Sequence, residues 1–177
     1  MQTFKLIPYP TDNLPKINIT GRIIRPENKL ILRYEVNGGI DQILLSAKSS
    51  FPSRTDDLWK ATCFEFFIAI PNQPEYWEFN MSPSGDWNVY KMDAYRRVGF
   101  REETAFTQLP FVLKETGDQL SIDISVDLRP ILQPQQKVQV GITAIIQTMD
   151  GKETYWALAH PGTQADFHLR DSFILSV

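Results

Sequence analysis

The chain has 177 residues, of which 42% are hydrophobic and 22% charged, a composition typical of a soluble globular protein with one domain over residues 1–177. Its net charge is −3, from 18 basic and 21 acidic residues, which argues against a nucleic-acid partner because no basic excess can neutralise phosphates. No Lys/Arg run predicts binding to a membrane surface, and no apolar stretch approaches the roughly 18 residues of a membrane span.

The N-terminal segment MQTFKLIPYPTDNLPK lacks the basic region and apolar run of a signal peptide. Cys63 is the single cysteine, so no internal disulfide can form. Together these features predict a cytoplasmic protein, although a targeting segment removed before position 1 would leave the same sequence.

Apolar and polar residues alternate with the period of a β-strand along much of the chain, and almost no segment has the period of a long helix. The first clear strand covers residues 29–37, where Leu30, Leu32, Tyr34 and Val36 share one side. Similar rows follow later in the chain, at residues 120–126, 138–146 and 154–158.

Residues 58–97 contain three of the four Trp and predict three consecutive strands joined by two tight turns. The first strand, 64–70, is apolar on both sides apart from Glu65, as in a central strand covered on both faces. Tight turns would bring Phe66 and Ile68 near Glu78 and Asn80. They would also place one polar set on a common face: Glu78, Asn80, Asn88 and Tyr90. The opposite face would carry an apolar set: Trp77, Phe79, Met81, Trp87 and Val89.

Pro- and Gly-containing turn signals separate these runs, and Asp150-Gly151 is a strong hairpin signal. The pattern predicts an all-β fold, an antiparallel β-sandwich of jelly-roll or immunoglobulin-like type with about eight to ten strands. Residues 126–132 are compatible with one short helical turn, and residues 44–57 and 93–108 are predicted loops.

The aromatic hairpins have two interpretations. Trp and Tyr faces stack on sugar rings while Asn and Glu bind hydroxyls, so Trp59, Glu78, Asn80, Trp87 and Tyr90 are candidate ligand-binding residues. Alternatively, the large aromatic side chains are core and the polar ones are ordinary sheet residues.

The C-terminal stretch holds both histidines, His160 and His168, with Asp166 between them. These side chains could form a metal or acid–base site. Their spacing matches neither a zinc finger nor an HExxH helix, and a structural role in the loop is the alternative.

Glu65 lies inside an apolar strand, where an isolated carboxylate is costly. It is therefore expected to pair with Arg54, Arg96 or Arg97, or to bind a metal such as calcium through oxygen ligands. Cys63 is expected to be a buried, inert thiol. No GxSxG, phosphate-binding loop, CxxC or HExxH motif occurs, so an enzyme is not expected. The number of carboxylates in the sequence does not exclude a pair of catalytic acids as in a glycosidase.

Three blocks, LWKATCFEFFI, YWEFNMSPSGDWNVYKMDAYR and WALAHPGTQADFHLRDSF, resemble the DOMON-like proteins related to family nine carbohydrate-binding modules. The resemblance implies a β-sandwich. It also implies either sugar held between aromatic side chains, with calcium in some relatives, or haem held by a Met and a second axial ligand. Haem here would require Met81 or Met92 opposite His160 or His168, and without CxxCH it would not be covalent.

These observations predict a non-catalytic module that binds a carbohydrate or another small flat ligand, without a cofactor. The alternatives are a haem- or metal-binding sensor or electron-transfer domain, and an interaction domain with no small ligand. The oligomeric state is left open. The candidate ligand-binding residues are Trp59, Glu78, Asn80, Trp87, Tyr90, His160, Asp166 and His168.

Overall fold

The structure is a computed structural model that describes residues 1–96 and 99–177. The described strands are β1 (Gln2–Lys5), β2 (Ile7–Pro8), β3 (Asn18–Ile24), β4 (Lys29–Asn37), β5 (Cys63–Ala69), β6 (Tyr76–Met81), β7 (Trp87–Met92), β8 (Arg101–Glu102), β9 (Phe111–Thr116), β10 (Gln119–Asp127), β11 (Gln139–Gln147), β12 (Glu153–Ala157) and β13 (Leu175–Ser176). Short 3-10 helices cover Ile40–Gln42, Leu58–Lys60 and Arg170–Ser172.

The strands form two antiparallel sheets with a shared hydrophobic core, which confirms the predicted β-sandwich. One sheet has five strands in the order β1-β3-β4-β10-β9, and the other has eight, in the order β2-β12-β11-β5-β6-β7-β8, with β13 paired to β11. Among the described residues the strands number thirteen, more than the eight to ten predicted. The excess is β2, β8 and β13, which have two residues each and are too short for a pattern to reveal.

The five-stranded sheet shows the simplest link between sequence and burial. Leu30, Leu32, Tyr34 and Val36 of β4 are all fully buried against the opposite sheet, as their alternation predicted. Leu120 to Val126 of β10 repeat this pattern beside them. The residues between these positions face outward and include polar and charged side chains, so this sheet has one face buried in the core and one face exposed to solvent.

The eight-stranded sheet is buried on both faces at its centre. Every residue of β5 is buried, as the apolar run from 64 to 70 predicted, and β6 is the same. The inner face joins the core between the sheets. On the outer face, strand side chains pack with Phe167 and Phe173 of the C-terminal loop in a second group, here called the outer cluster: Phe67, Ala69, Tyr76, Tyr90, Met92, Ile145, Ala157, Phe167 and Phe173.

The register of the two hairpins confirms one part of the prediction and corrects another. Glu78 pairs with Tyr90 and Asn80 with Asn88, so the polar face is the predicted one. Phe66 and Ile68 pair instead with Phe79 and Trp77 on the inner face. The connection of residues 70–75 between paired Ala69 and Tyr76 has an even length, which shifts the pairing by one residue and exchanges the faces of β5.

The connections agree broadly with the predicted turns. Residues 128–132 form one helical turn, in which the Leu132 amide donates to the Leu128 carbonyl over 2.9 Å. Gly151 has φ of 83°, the left-handed backbone that its hairpin position requires. Residues 44–57 are irregular, and the segment 93–108 contains only β8 among its described residues. In the described part of the chain, no helix is long and apolar enough to cross a bilayer.

Candidate ligand-binding cleft

A cleft of about 760 Å³ opens on the outer face of the eight-stranded sheet. Its floor is formed by Glu65 of β5, Glu78 of β6 and Ile145 of β11. Aromatic side chains and two loops form its walls and rim, and the residues are Trp59, Arg96, Phe100, Tyr155, Gln164, Ala165, Asp166, Phe167 and His168.

The two floor carboxyls belong to neighbouring strands and have few partners. Thr143 Oγ1 donates to Glu65 Oε2 over 3.2 Å, whereas Glu65 Oε1 is buried without a hydrogen-bond partner. Asn80 Nδ2 donates to Glu78 Oε1 over 2.8 Å, and Asn80 Oδ1 is likewise buried and unpartnered. Two buried oxygens at cross-strand positions 65 and 80 therefore lack a donor.

Burial determines the protonation of these acids. Desolvation, followed by the charge of Glu78, raises the pKa of Glu65 well above its usual value. Desolvation also raises the pKa of Glu78 to about 7, against a smaller opposing effect of the hydrogen bond from Asn80. Both groups thus hold protons near neutral pH more readily than exposed carboxyls do.

The expectation that Glu65 pairs with Arg54 or Arg96 is wrong. Arg54 bonds to Asn88 Oδ1 over 2.6 Å, and Arg96 Nη2 lies 3.0 Å from Asp166 Oδ1. Arg97 lies outside the described residues. In its neutral acid form Glu65 needs no counter-ion, although its Oε1 still has no hydrogen-bond partner.

A hydrogen-bonded chain at the rim ends near the floor. The backbone amide of Arg96 donates to the Tyr76 hydroxyl over 3.1 Å, and that hydroxyl lies 2.8 Å from His168 Nδ1. If the hydroxyl donates to Nδ1, the ring proton is on Nε2, which lies 3.9 Å from Glu78 Oε2. Desolvation lowers the pKa of His168 to about 4, so its imidazole is neutral.

The aromatic wall is braced from behind. Trp59, from the 3-10 helix Leu58–Lys60, meets the Tyr90 ring edge-on at 5.6 Å, and Phe100 stacks on Tyr90 at 4.8 Å. The Tyr90 hydroxyl is anchored to Asp56 over 2.7 Å. On the other side, Tyr155 and Phe167 meet at 6.0 Å. These rings present flat apolar surfaces above a polar floor.

The structure brings together four of the predicted site residues in the lining itself: Trp59, Glu78, Asp166 and His168. Two more lie directly behind it. Asn80 holds the Glu78 carboxyl, and Tyr90 supports Trp59. These placements are positions in the fold, and ligand binding by each side chain stays a prediction.

The remaining two predicted residues, Trp87 and His160, lie outside this cleft. Trp87 faces the core between the sheets under the Arg54 guanidinium, because it shares its side of β7 with Val89 and not with Tyr90. His160 Nε2 lies 2.9 Å from the Ile7 carbonyl oxygen, and the ring packs on Tyr9. This contact ties the C-terminal loop to β2.

Sequence reasoning missed much of the wall. Phe100 and Phe167 come from irregular loops, where no periodicity indicates the direction of a side chain. Tyr155 could have been found, because it alternates with inward-facing Trp156 on β12. Glu65 carries a usable signal as a lone acid in an apolar strand, but that signal alone predicts an arginine partner or a metal and not the floor of a cleft.

Within residues 1–96 and 99–177, no group of three or more His, Cys, Asp or Glu side chains is arranged to hold a metal ion. The two methionines considered for haem do not line the cleft. Met81 lies between the sheets, and Met92 is buried in the outer cluster. Cys63 is fully buried, as predicted, and desolvation raises the pKa of its thiol.

Neither a protein-family model nor a curated protein sequence matches this chain. Solved structures do match it. A proposed carbohydrate-binding protein from Bacteroides uniformis ATCC 8492 aligns with a TM-score of 0.74 and 11% identity, over 97% of this chain and 83% of that one. A family 9 carbohydrate-binding module from Caldicellulosiruptor kristjanssonii, solved with cellotriose, aligns with a TM-score of 0.53 and 12% identity, over 83% and 68%. The chain has the β-sandwich fold of these proteins.

Proposed function

We propose that this protein is a non-catalytic carbohydrate-binding module and that the cleft above Glu65 and Glu78 holds the sugar. The observation that carries the proposal is the combination of flat aromatic walls with a buried polar floor in one concave site. The shared fold with carbohydrate-binding modules supports it. Kinship with DOMON-like proteins and a cytoplasmic location stay predictions.

The floor of the cleft can form hydrogen bonds with a sugar. A buried oxygen without a donor costs free energy, and Glu65 Oε1 on the cleft floor is in that state. The hydroxyl groups of a sugar are donors of suitable size. A sugar seated on this floor would donate to an oxygen that the protein leaves without a hydrogen-bond partner.

The walls of the cleft can pack against the apolar face of a sugar ring. Trp59 is half-buried and braced by Tyr90, so its ring is held in place before a ligand arrives. Phe100 stacks on the same tyrosine and is 47% exposed, which leaves its face available. A preorganised aromatic wall binds the apolar C–H face of a sugar ring with little loss of side-chain entropy. The volume of about 760 Å³ is within the usual range of small-ligand sites.

The test is isothermal titration calorimetry against gluco-, xylo- and manno-oligosaccharides. We expect Trp59→Ala to weaken binding of the preferred sugar by about tenfold, from the loss of aromatic contact. The matched control is Phe51→Ala, a loop aromatic that is 87% exposed and outside the cleft lining, which should leave the affinity unchanged.

Failure of every carbohydrate to bind would contradict the proposal, and so would equal weakening by both variants. The same mixtures are then separated by chromatography after long incubation. Unchanged oligosaccharides are expected of a non-catalytic module, whereas shortened products would show that the buried acids act as a glycosidase pair.

A further inference from the structure

We propose that the sugar selected by this cleft carries a protonated amine, as a free amino sugar does, and that its ammonium group lies between Glu65 and Glu78. This inference rests on the proposed function and names the chemical class of its ligand.

The first support is the convergence of two acids on one floor. Glu65 pairs directly with Asn80 across β5 and β6, and Glu78 lies two residues along β6 on the same face. Such diagonal neighbours have Cβ atoms roughly 7–8 Å apart or less, within reach of one guest group for side chains as long as Glu. Both side chains line the cleft.

The second support is the charge balance of the lining. Among the lining residues that the structure describes, Arg96 is the permanent cation, and it lies 3.0 Å from Asp166, so this pair contributes no net charge. His168 is neutral because desolvation lowers its pKa. The two floor acids therefore remain as the groups that could lose a proton in favour of an entering cation.

The charged groups behind the aromatic wall are of both signs. Asn88 Nδ2 donates to Asp56 over 3.1 Å and to Glu102 over 3.0 Å, and Asn88 Oδ1 accepts from the Arg54 guanidinium over 2.6 Å. The remaining titratable neighbours are held uncharged at neutral pH, because desolvation raises the pKa of each, and they are Cys63, Tyr76, Tyr90 and Tyr155.

The third support is the match between donors and acceptors. Glu65 Oε1, on the cleft floor, lacks a donor, and an ammonium group offers three N–H donors. Aromatic faces attract cations, and Trp59 and Tyr155 stand on opposite walls of this floor. An N-acetylated sugar offers one N–H, no charge and an extra methyl group, so it satisfies the floor less completely.

Binding should release protons. In the empty cleft, burial favours the neutral acid form of Glu65 and Glu78, each with its proton on a carboxyl oxygen. When the ammonium group enters, it keeps its own three protons, and the proton of a floor carboxyl passes to the buffer. Affinity should then rise with pH until the sugar amine itself loses its proton.

The experiment compares three β-1,4-linked oligosaccharides of equal length, made of glucosamine, N-acetylglucosamine or glucose, by calorimetry at neutral pH. We expect the glucosamine oligomer to bind at least about tenfold more tightly than the other two. Its observed binding enthalpy should change with the ionisation enthalpy of the buffer, which reports the released proton.

Variants locate the effect. Glu65→Gln and Glu78→Gln should each remove the preference for the amine while keeping measurable binding of the neutral oligomers. Glu115→Gln, an exposed acid on β9 of the other sheet, should keep the preference. Because Gln resembles the neutral acid, the variants should fold, and thermal melting checks this.

Equal affinity for the glucosamine and glucose oligomers overturns the inference and leaves the proposed function standing. No binding of any sugar overturns both. Amine preference that survives in both Gln variants also overturns the inference, since the cation would then bind elsewhere. If a variant fails to fold, the wild-type protein still decides, because a buffer-independent enthalpy contradicts proton release.

Discussion

The outer faces of the two sheets carry similar residue types in opposite environments. On the five-stranded sheet, Arg33 bonds to Glu35 over 2.8 Å and to Asp123 over 2.9 Å, and all three side chains contact solvent. On the eight-stranded sheet, Glu65 and Glu78 are buried under loops without a described cationic partner. The covering loops, not the strands, turn ordinary sheet acids into the floor of a cleft.

The largest expected effect comes from removing the cover. Phe173 is buried, packs 5.3 Å from Phe67 and closes the outer cluster. Phe173→Ala should lower the free energy of unfolding by about 3–5 kcal/mol, the cost of a large core truncation. Val112→Ala, on the exposed face of the other sheet, should change it by no more than about 0.5 kcal/mol. Equal losses in urea titrations would show that the two faces are equivalent.

The next effect concerns pH. An acid whose pKa is raised by folding stabilises the folded state most at low pH, and that contribution is lost as pH rises through the folded pKa. For Glu78 the unfolded pKa is about 4.3 and the folded one about 7. Stability should fall by up to about 3 kcal/mol between pH 4.5 and roughly 7.5.

Urea unfolding across this pH range measures that slope. Glu78→Gln should reduce it, whereas Glu115→Gln, an exposed residue near the end of β9, should leave it unchanged. A slope that is the same in wild type and Glu78→Gln would contradict the burial of this carboxyl in the folded protein.

A smaller effect is expected where the cover touches the sheet. Gly141 lies under Phe173, and a Cβ at position 141 would lie 2.7 Å from the ring. Gly141→Ala should cost about 1–3 kcal/mol through overpacking. In a Phe173→Ala background the same change should be nearly neutral, because the obstructing ring is gone. A double-mutant cycle by thermal melting tests this coupling, and additive losses would refute it.

The smallest effect is expected on the solvent-exposed face of the five-stranded sheet. Arg33→Gln removes the two ion pairs with Glu35 and Asp123, which are partly exposed and screened by salt. The loss should be within about 1 kcal/mol and should shrink as salt is added. A larger loss, independent of salt, would mean that these pairs are as isolated from solvent as the acids of the cleft.

The fold was predictable because each strand carries its own alternation. Leu30 to Val36 and Leu120 to Val126 required no knowledge of their neighbours, and the polar face of Glu78 and Asn80 followed from a single tight turn. The β5–β6 register was not predictable, because it depends on whether the connecting loop has an even or odd length.

The cleft was only half predictable for a related reason. Strand periodicity marks Glu78 and Tyr155, but Phe100 and Phe167 reach the site through loops whose path depends on tertiary contacts. The two histidines illustrate this point. They are eight positions apart, yet His168 lies beside Glu78 and His160 contacts β2.

The pairing of Arg96 with Asp166 joins two rim segments that are 70 residues apart in sequence. Tyr95 bonds to the same carboxylate, so this one acid anchors the opposite segment through two side chains. Anyone wishing to retarget such a scaffold by transplanting loops would have to exchange both segments together. A graft of either segment alone would leave Arg96 or Asp166 without its ion-pair partner.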